Sequence, residues 1–161
     1  MDGNYQDGKS SEELQRDYAN LIRQQMALQG VSVRQLWAEG VIRNNHRHRF
    51  FERLAEGSLP ISEYHAVNQR LEIDPIRAAI TVQCFVSEQA YDDPCCQTSA
   101  LVAVAMATHL PAELAACDGE FEALRDELCK GIAQKTSNAI AKHHRMIENR
   151  RNGGDFEFAY A

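Results

Sequence analysis

Over the first 85 residues apolar positions recur every three or four places and never alternate with period two over a useful length, the signature of helices rather than strands. Leu14, Tyr18, Leu21, Ile22 and Met26 share one face of a helix predicted over residues 11–29. Glu12 and Glu13 sit at its positive end, and Gly30 stops it. A helix with a single apolar stripe needs a partner. Ser32 is suited to cap a short second helix over residues 33–39, with Leu36 and Trp37 inward and Gly40 in the left-handed position that closes it. Asn44 and Asn45 suggest a turn before a third helix that starts near residue 45 or 46, is anchored by Phe50, Phe51 and Leu54, and ends at Gly57. Beyond the Pro60 loop, Ser62 is expected to cap a fourth helix carrying Tyr64, Ala66, Val67 and Leu71 inward. Asp74-Pro75 is a start signal for a fifth, whose buried stripe is expected at Ile76, Ala79, Ile80 and Cys84 or Phe85.

The second half has a different texture. Residues 87–94, SEQAYDDP, are polar and end in proline, which predicts a boundary or hinge. Residues 98–109 are apolar nearly all round, as in a helix buried within a domain or an oligomer interface, and fall short of the about 20 residues that a membrane span requires. Pro111 is expected to begin a separate short turn through Cys117, and Asp118-Gly119 to break the chain again. A long helix is predicted over residues 120–149, with Phe121, Leu124, Leu128, Ile132, Thr136, Ile140, His143 and Ile147 on its stripe. Its first half is acidic and its second basic, the order that suits the helix dipole. Asn152-Gly153-Gly154 should terminate it, leaving a tail in which Phe156, Phe158 and Tyr160 alternate and could add as a strand or dock in a groove. The organisation expected is thus a mobile leader, residues 1–10, a helical domain, 11–86, a helical C-terminal region, 94–152, and the tail, 153–161.

With 44% hydrophobic and 25% charged residues in 161, composition indicates a soluble globular chain of one domain, or a small domain with an appendage. Neither a secretory signal nor a membrane span is visible, so a cytoplasmic protein is expected. Cys84, Cys95, Cys96, Cys117 and Cys129 contain no CxxC pair and read as buried, reduced thiols. A zinc site from Cys95, Cys96, Cys117 and His109 is conceivable, but adjacent cysteines do not match the usual ligand spacing, so no metal is expected. His65 and His109 read as structural, and His143-His144 as part of a solvated or DNA-facing helix end. Nucleotide-binding glycine motifs, HExxH and GxSxG are all absent, and neither catalysis nor a cofactor is expected.

Charge then singles out one segment. Residues 41–57, VIRNNHRHRFFERLAEG, hold Arg43, Arg47, Arg49 and Arg53 against Glu52 and Glu56, with His46 and His48 interleaved, in a chain of formal net charge -6. A local reversal of sign fits a surface that meets a polyanion, most plausibly DNA. A solvated helix face neutralised by nearby acids would show the same charges.

Taken in order, LIRQQMALQGVSVRQLWAEG, RHRFFERLAEG and LPISEYHAVNQRLEIDP resemble the five-helix DNA-binding domain of the phage lambda repressor and Cro type, over roughly residues 14–85. The resemblance implies that the second helix crosses the DNA backbone, with Arg34 and Gln35 near phosphate, and that a recognition helix over residues 46–55 enters the major groove. Asn45, His46, Arg47 and Arg49 would then stand at its front, where arginine can pair bidentately with guanine and asparagine with adenine. Arg43, Asn44 and Arg53 complete the candidate DNA-binding set. The stretch between Gly40 and Phe50 is longer than the family's usual turn, so Arg43 and Asn44 belong either to the helix or to the loop before it. The expectation is an all-α, five-helix lambda-repressor-like domain followed by a helical oligomerisation region, acting on double-stranded DNA as a homodimeric transcriptional regulator. The alternative is an all-helical protein–protein interaction module, a phage or host regulatory factor that does not bind DNA directly.

Overall fold

A computed structural model describes residues 9–154 of the chain. Its described residues form eight α-helices and no strand, so the all-α class holds. Two compact units divide the chain, Met1–Glu113 and Leu114–Ala161.

In the first unit, α1 (Ser11–Gln29) begins at a capping box: the Ser10 hydroxyl accepts from the Glu13 amide while the Glu13 carboxylate accepts from the Ser10 amide. Ser10 and Lys9 therefore belong to the fold and not to a mobile leader; the Lys9 ammonium lies 2.7 Å from Asp17 and donates to the Val82 carbonyl. Residues 1–8 of the expected leader lie outside the described residues. Ser32 caps α2 (Val33–Ala38) in a second capping box with Gln35. The stretch expected to be one helix is two: α3 (Asn44–Arg47) and α4 (Phe50–Ala55), interrupted at His48 and Arg49. Next, α5 (Ile61–Arg70) starts two residues earlier than expected, after Pro60, and no side chain caps it, so Ser62 is not its cap. Asp74 caps α6 (Pro75–Cys84), with Pro75 at the first helical position.

Leu21, Ile22, Leu36, Phe50, Leu54, Val67 and Leu71 are almost completely inaccessible and form one core between α1, α2, α4 and α5. Burying side chains of this size stabilises by about 1.5–3 kcal/mol each. The stripe of α6 is rotated from expectation: Ala78, Thr81 and Val82 are buried, whereas Ile76 and Cys84 are exposed. Small residues there permit close contact with α1, and Thr81 satisfies its hydroxyl on the Arg77 carbonyl.

Residues 87–94 are not a hinge. A 3-10 turn, Glu88–Asp92, packs on α1 and α6, and its Tyr91 is buried with the hydroxyl accepting from the Asp74 amide. Arg77 lies 4.2 Å over the Tyr91 ring, and Gln25 donates to Asp92. The first unit accordingly extends beyond the expected limit at residue 86.

The apolar helix is also longer than its sequence pattern suggested. α7 (Pro94–Ala115) runs 22 residues straight through Pro111, so no separate turn begins there. Only Cys96 and Ala100 of α7 are buried; Leu101, Val104, Met106 and Leu110 are exposed. It is the one helix among the described residues long and apolar enough to cross a membrane, by length and composition alone. Helices of soluble assemblies share that property.

In the second unit, α8 (Asp126–Gly154) starts six residues later than expected and continues through Asn152 to Gly154, where the described residues end. None of its described residues is buried. The aromatic tail lies outside the described residues. Of the cysteines, only Cys96 is buried; Cys84, Cys95, Cys117 and Cys129 are exposed, contrary to the expected burial.

Two positions test this packing. Phe50→Ala should cost about 3–5 kcal/mol in urea denaturation of the full chain, through the cavity left at a fully enclosed site. Glu72 closes α5 in a left-handed conformation, φ 54°, which costs a non-glycine residue about 1 kcal/mol. Glu72→Gly should therefore raise stability slightly, and a loss would contradict strain at this turn.

Candidate nucleic-acid interface

Residues 46, 50 and 54 form the inner face of the segment carrying α3 and α4. Phe50 and Leu54 enter the apolar core, but His46 meets a carboxylate: its Nδ1 lies 2.8 Å from Glu63 Oε2, and both residues are buried. Arg43 closes the group, with Nε 3.3 Å from Glu63 Oε1, near enough for an ion pair though not aligned as a hydrogen bond. A buried carboxylate needs such partners, because desolvating a charge costs several kcal/mol. The group ties the turn before α3, α3 itself and α5 to one point. Arg49, at φ −121° and ψ 29°, breaks the helical path, and α4 restarts behind it.

The outward side of α3 faces α2. Arg47 is half-buried, its guanidinium 4.8 Å from the centre of the Trp37 ring. Trp37 is 38% exposed and is not the core anchor expected of it. Neighbouring positions on a helix differ by about 100°, and Leu36, which is completely buried, takes the inward direction. Val33, Arg34, Trp37, Arg47 and His48 together line a shallow groove. Two arginines, a histidine and an exposed indole thus share a surface with no carboxylate among its lining residues. Gly40, at φ 74°, turns the chain sharply between the two helices, a conformation that favours glycine.

Only part of the expected set occupies this surface. Arg34 and Arg47 line the groove, while Arg43, Asn44 and Asn45 are exposed at the turn and the start of α3. Gln35 is exposed, but its side-chain oxygen is engaged by Ser32 in the capping box. His46 is turned inward onto Glu63 and is not presented to a ligand. Arg49 is exposed and donates through Nε and Nη2 to Glu52, a contact that holds the Glu52 carboxyl below its ordinary range and neutralises the arginine. Arg53 is half-buried, with its Nε unpartnered among the described residues. Arg70 likewise pairs with Glu39 at the end of α2. Trp37 and His48 were not in the expected set, because the sequence placed Trp37 inward beside Leu36 and nothing in it told the two apart.

No group of three or more histidine, cysteine or acidic residues able to hold a metal occurs among the described residues. Comparison of the chain with protein-family models, with curated proteins and with solved structures finds no match.

The His46 contact predicts a specific asymmetry. His46→Leu, which leaves Glu63 buried with only the exposed Arg43, should cost about 3–5 kcal/mol, whereas adding Glu63→Leu should recover most of that loss. A double variant as unstable as the single one in urea denaturation would show that the contact is not an isolated polar pair.

Proposed function

We propose that the chain is a DNA-binding transcriptional regulator of the lambda repressor and Cro type, in which α2 lies along the DNA backbone and the segment from α3 into α4 is offered to the major groove. One observation carries the reading: in a chain of net charge -6, Arg34 and Arg47 share an exposed groove whose lining contains no acid. Local field, not total charge, governs encounter with a polyanion. Asn44 and Asn45 add exposed amides of the kind that read adenine, while Arg34 and Arg47 supply cations for phosphate or guanine. A single module reads few base pairs, so the regulator is proposed to act as a homodimer on paired half-sites, with its C-terminal helices as the joining element. Excess acid elsewhere on the chain keeps non-specific binding low.

A second reading, an all-helical module that binds another protein, is favoured by the exposed Leu101, Val104 and Leu110 of α7.

Anisotropy of a labelled random-sequence duplex separates the two. Binding is expected at low salt with a steep loss as salt rises, and no binding at low salt rejects the first reading. Arg34→Ala and Arg47→Ala should each weaken binding about tenfold, or about 1.4 kcal/mol, with helicity unchanged. Arg49→Ala should change it by less than about twofold, because Glu52 already neutralises that side chain. Equal losses at all three positions would show that the groove of α2 and α3 is not the contact surface.

A further inference from the structure

We propose that the groove between α2 and α3 holds an unpaired base of single-stranded nucleic acid, stacked on Trp37 and flanked by phosphates on Arg34 and Arg47. The chain has a single tryptophan, and it does not lie in the core: Leu36 takes that direction, while Trp37 is exposed and lines the groove with Val33, Arg34, Arg47 and His48. An indole left in water forgoes the gain that its large apolar surface offers on burial, and a flat ligand that covers it recovers that gain. The Arg47 guanidinium lies 4.8 Å from the centre of the ring. Indole and guanidinium are both flat surfaces on which nucleobases stack.

The pairing state of the base follows from which part of it can be reached. Inside a duplex the faces of each base are covered by its neighbours, and only edges and phosphates are offered to a protein. A ring that lines a shallow groove has no base face to meet there, whereas an unpaired base presents its faces freely. Charge selects a strand over an uncharged aromatic ligand. Elsewhere in the first unit Arg16, Arg43, Arg49, Arg70 and Arg77 each lie beside a carboxylate. Arg34 and Arg47 have no acidic partner among the described residues, and the groove lining contains none. Two uncompensated cations next to a stacking surface match the repeat of a strand, in which base and phosphate alternate. His48, exposed on the same lining, adds a donor for phosphate or sugar.

The stacked base depends on the reading of this groove as a nucleic-acid surface, and three probes keep the two apart: a short oligodeoxythymidylate, which stays single-stranded, a fully paired duplex of the same length, and thymidine monophosphate. Because Trp37 is the only indole, its emission in the full-length chain reports the site directly. The oligodeoxythymidylate should quench that emission, and the duplex should leave it nearly unchanged. Trp37→Leu should weaken binding of the oligomer about tenfold, with most of the affinity retained in Trp37→Phe, while duplex affinity changes by less than about twofold in either variant. Leu36 and the core stay in place in both, so far-UV circular dichroism should not change. Duplex binding with neither quenching nor binding by the oligomer overturns the stacked base and leaves the regulator reading intact. Quenching by the oligomer without duplex binding supports the stacked base and rejects the duplex reading; binding of neither rejects both. Equal losses toward oligomer and duplex in Trp37→Leu, or no loss toward either, also overturn the stacked base. Thymidine monophosphate that binds as tightly as the oligomer rejects the strand in favour of a free nucleotide.

Discussion

Glu63 sets the terms for the surface around it. A carboxylate enclosed in a small helical core is costly to desolvate, and it persists because His46 and Arg43 approach its two oxygens from the segment that carries α3. The contact fixes the position of α3 on α5 in a way that interchangeable apolar contacts would not. Phe50 and Leu54 then carry the same inner face onward into α4. Because three successive inward positions are held, the intervening residues must point outward, and Arg47 reaches the indole of α2 as a result.

Local signals in the sequence translated faithfully. Ser32, Asp74-Pro75, Gly40 and Gly57 act through their own backbones and near neighbours, and the caps and turns they predicted are present. Side-chain direction depended on distant partners and was less legible. His46 looked like part of a basic surface because nothing nearby in sequence announces Glu63, seventeen positions on. In α6, apolar character drew the expected stripe to Ile76 and Ile80, yet close packing on α1 selects Ala78 and Val82. Tyr91 turned a polar stretch that looked like a hinge into a packed turn, through one hydroxyl on the Asp74 amide. Pro111 misled because a proline can remain within a helix, so a start signal and a tolerated interior position look alike in sequence.

The two units handle apolar residues by opposite means. In the first, seven large side chains close on one another and leave a polar, cationic groove outside. In the second, the apolar residues of α8 are distributed along a solvated stripe, with Lys142, Arg145, Arg150 and Arg151 gathered in its second half. Of the candidate site, Arg34 and Arg47 were legible as charge, whereas the stacking that orders Arg47 required knowing that Leu36, not Trp37, fills the core.

The division of labour along α3 bears on how such a surface changes over time. Residues 46, 50 and 54 are answerable to the core, while Asn44, Asn45 and His48 are exposed. Substitutions at these three outward positions escape the selection that preserves folding, since exposed sites away from caps and buried networks shift stability by less than about 0.5 kcal/mol. The groove can therefore acquire a different chemical preference through neutral drift, on a scaffold that stays the same.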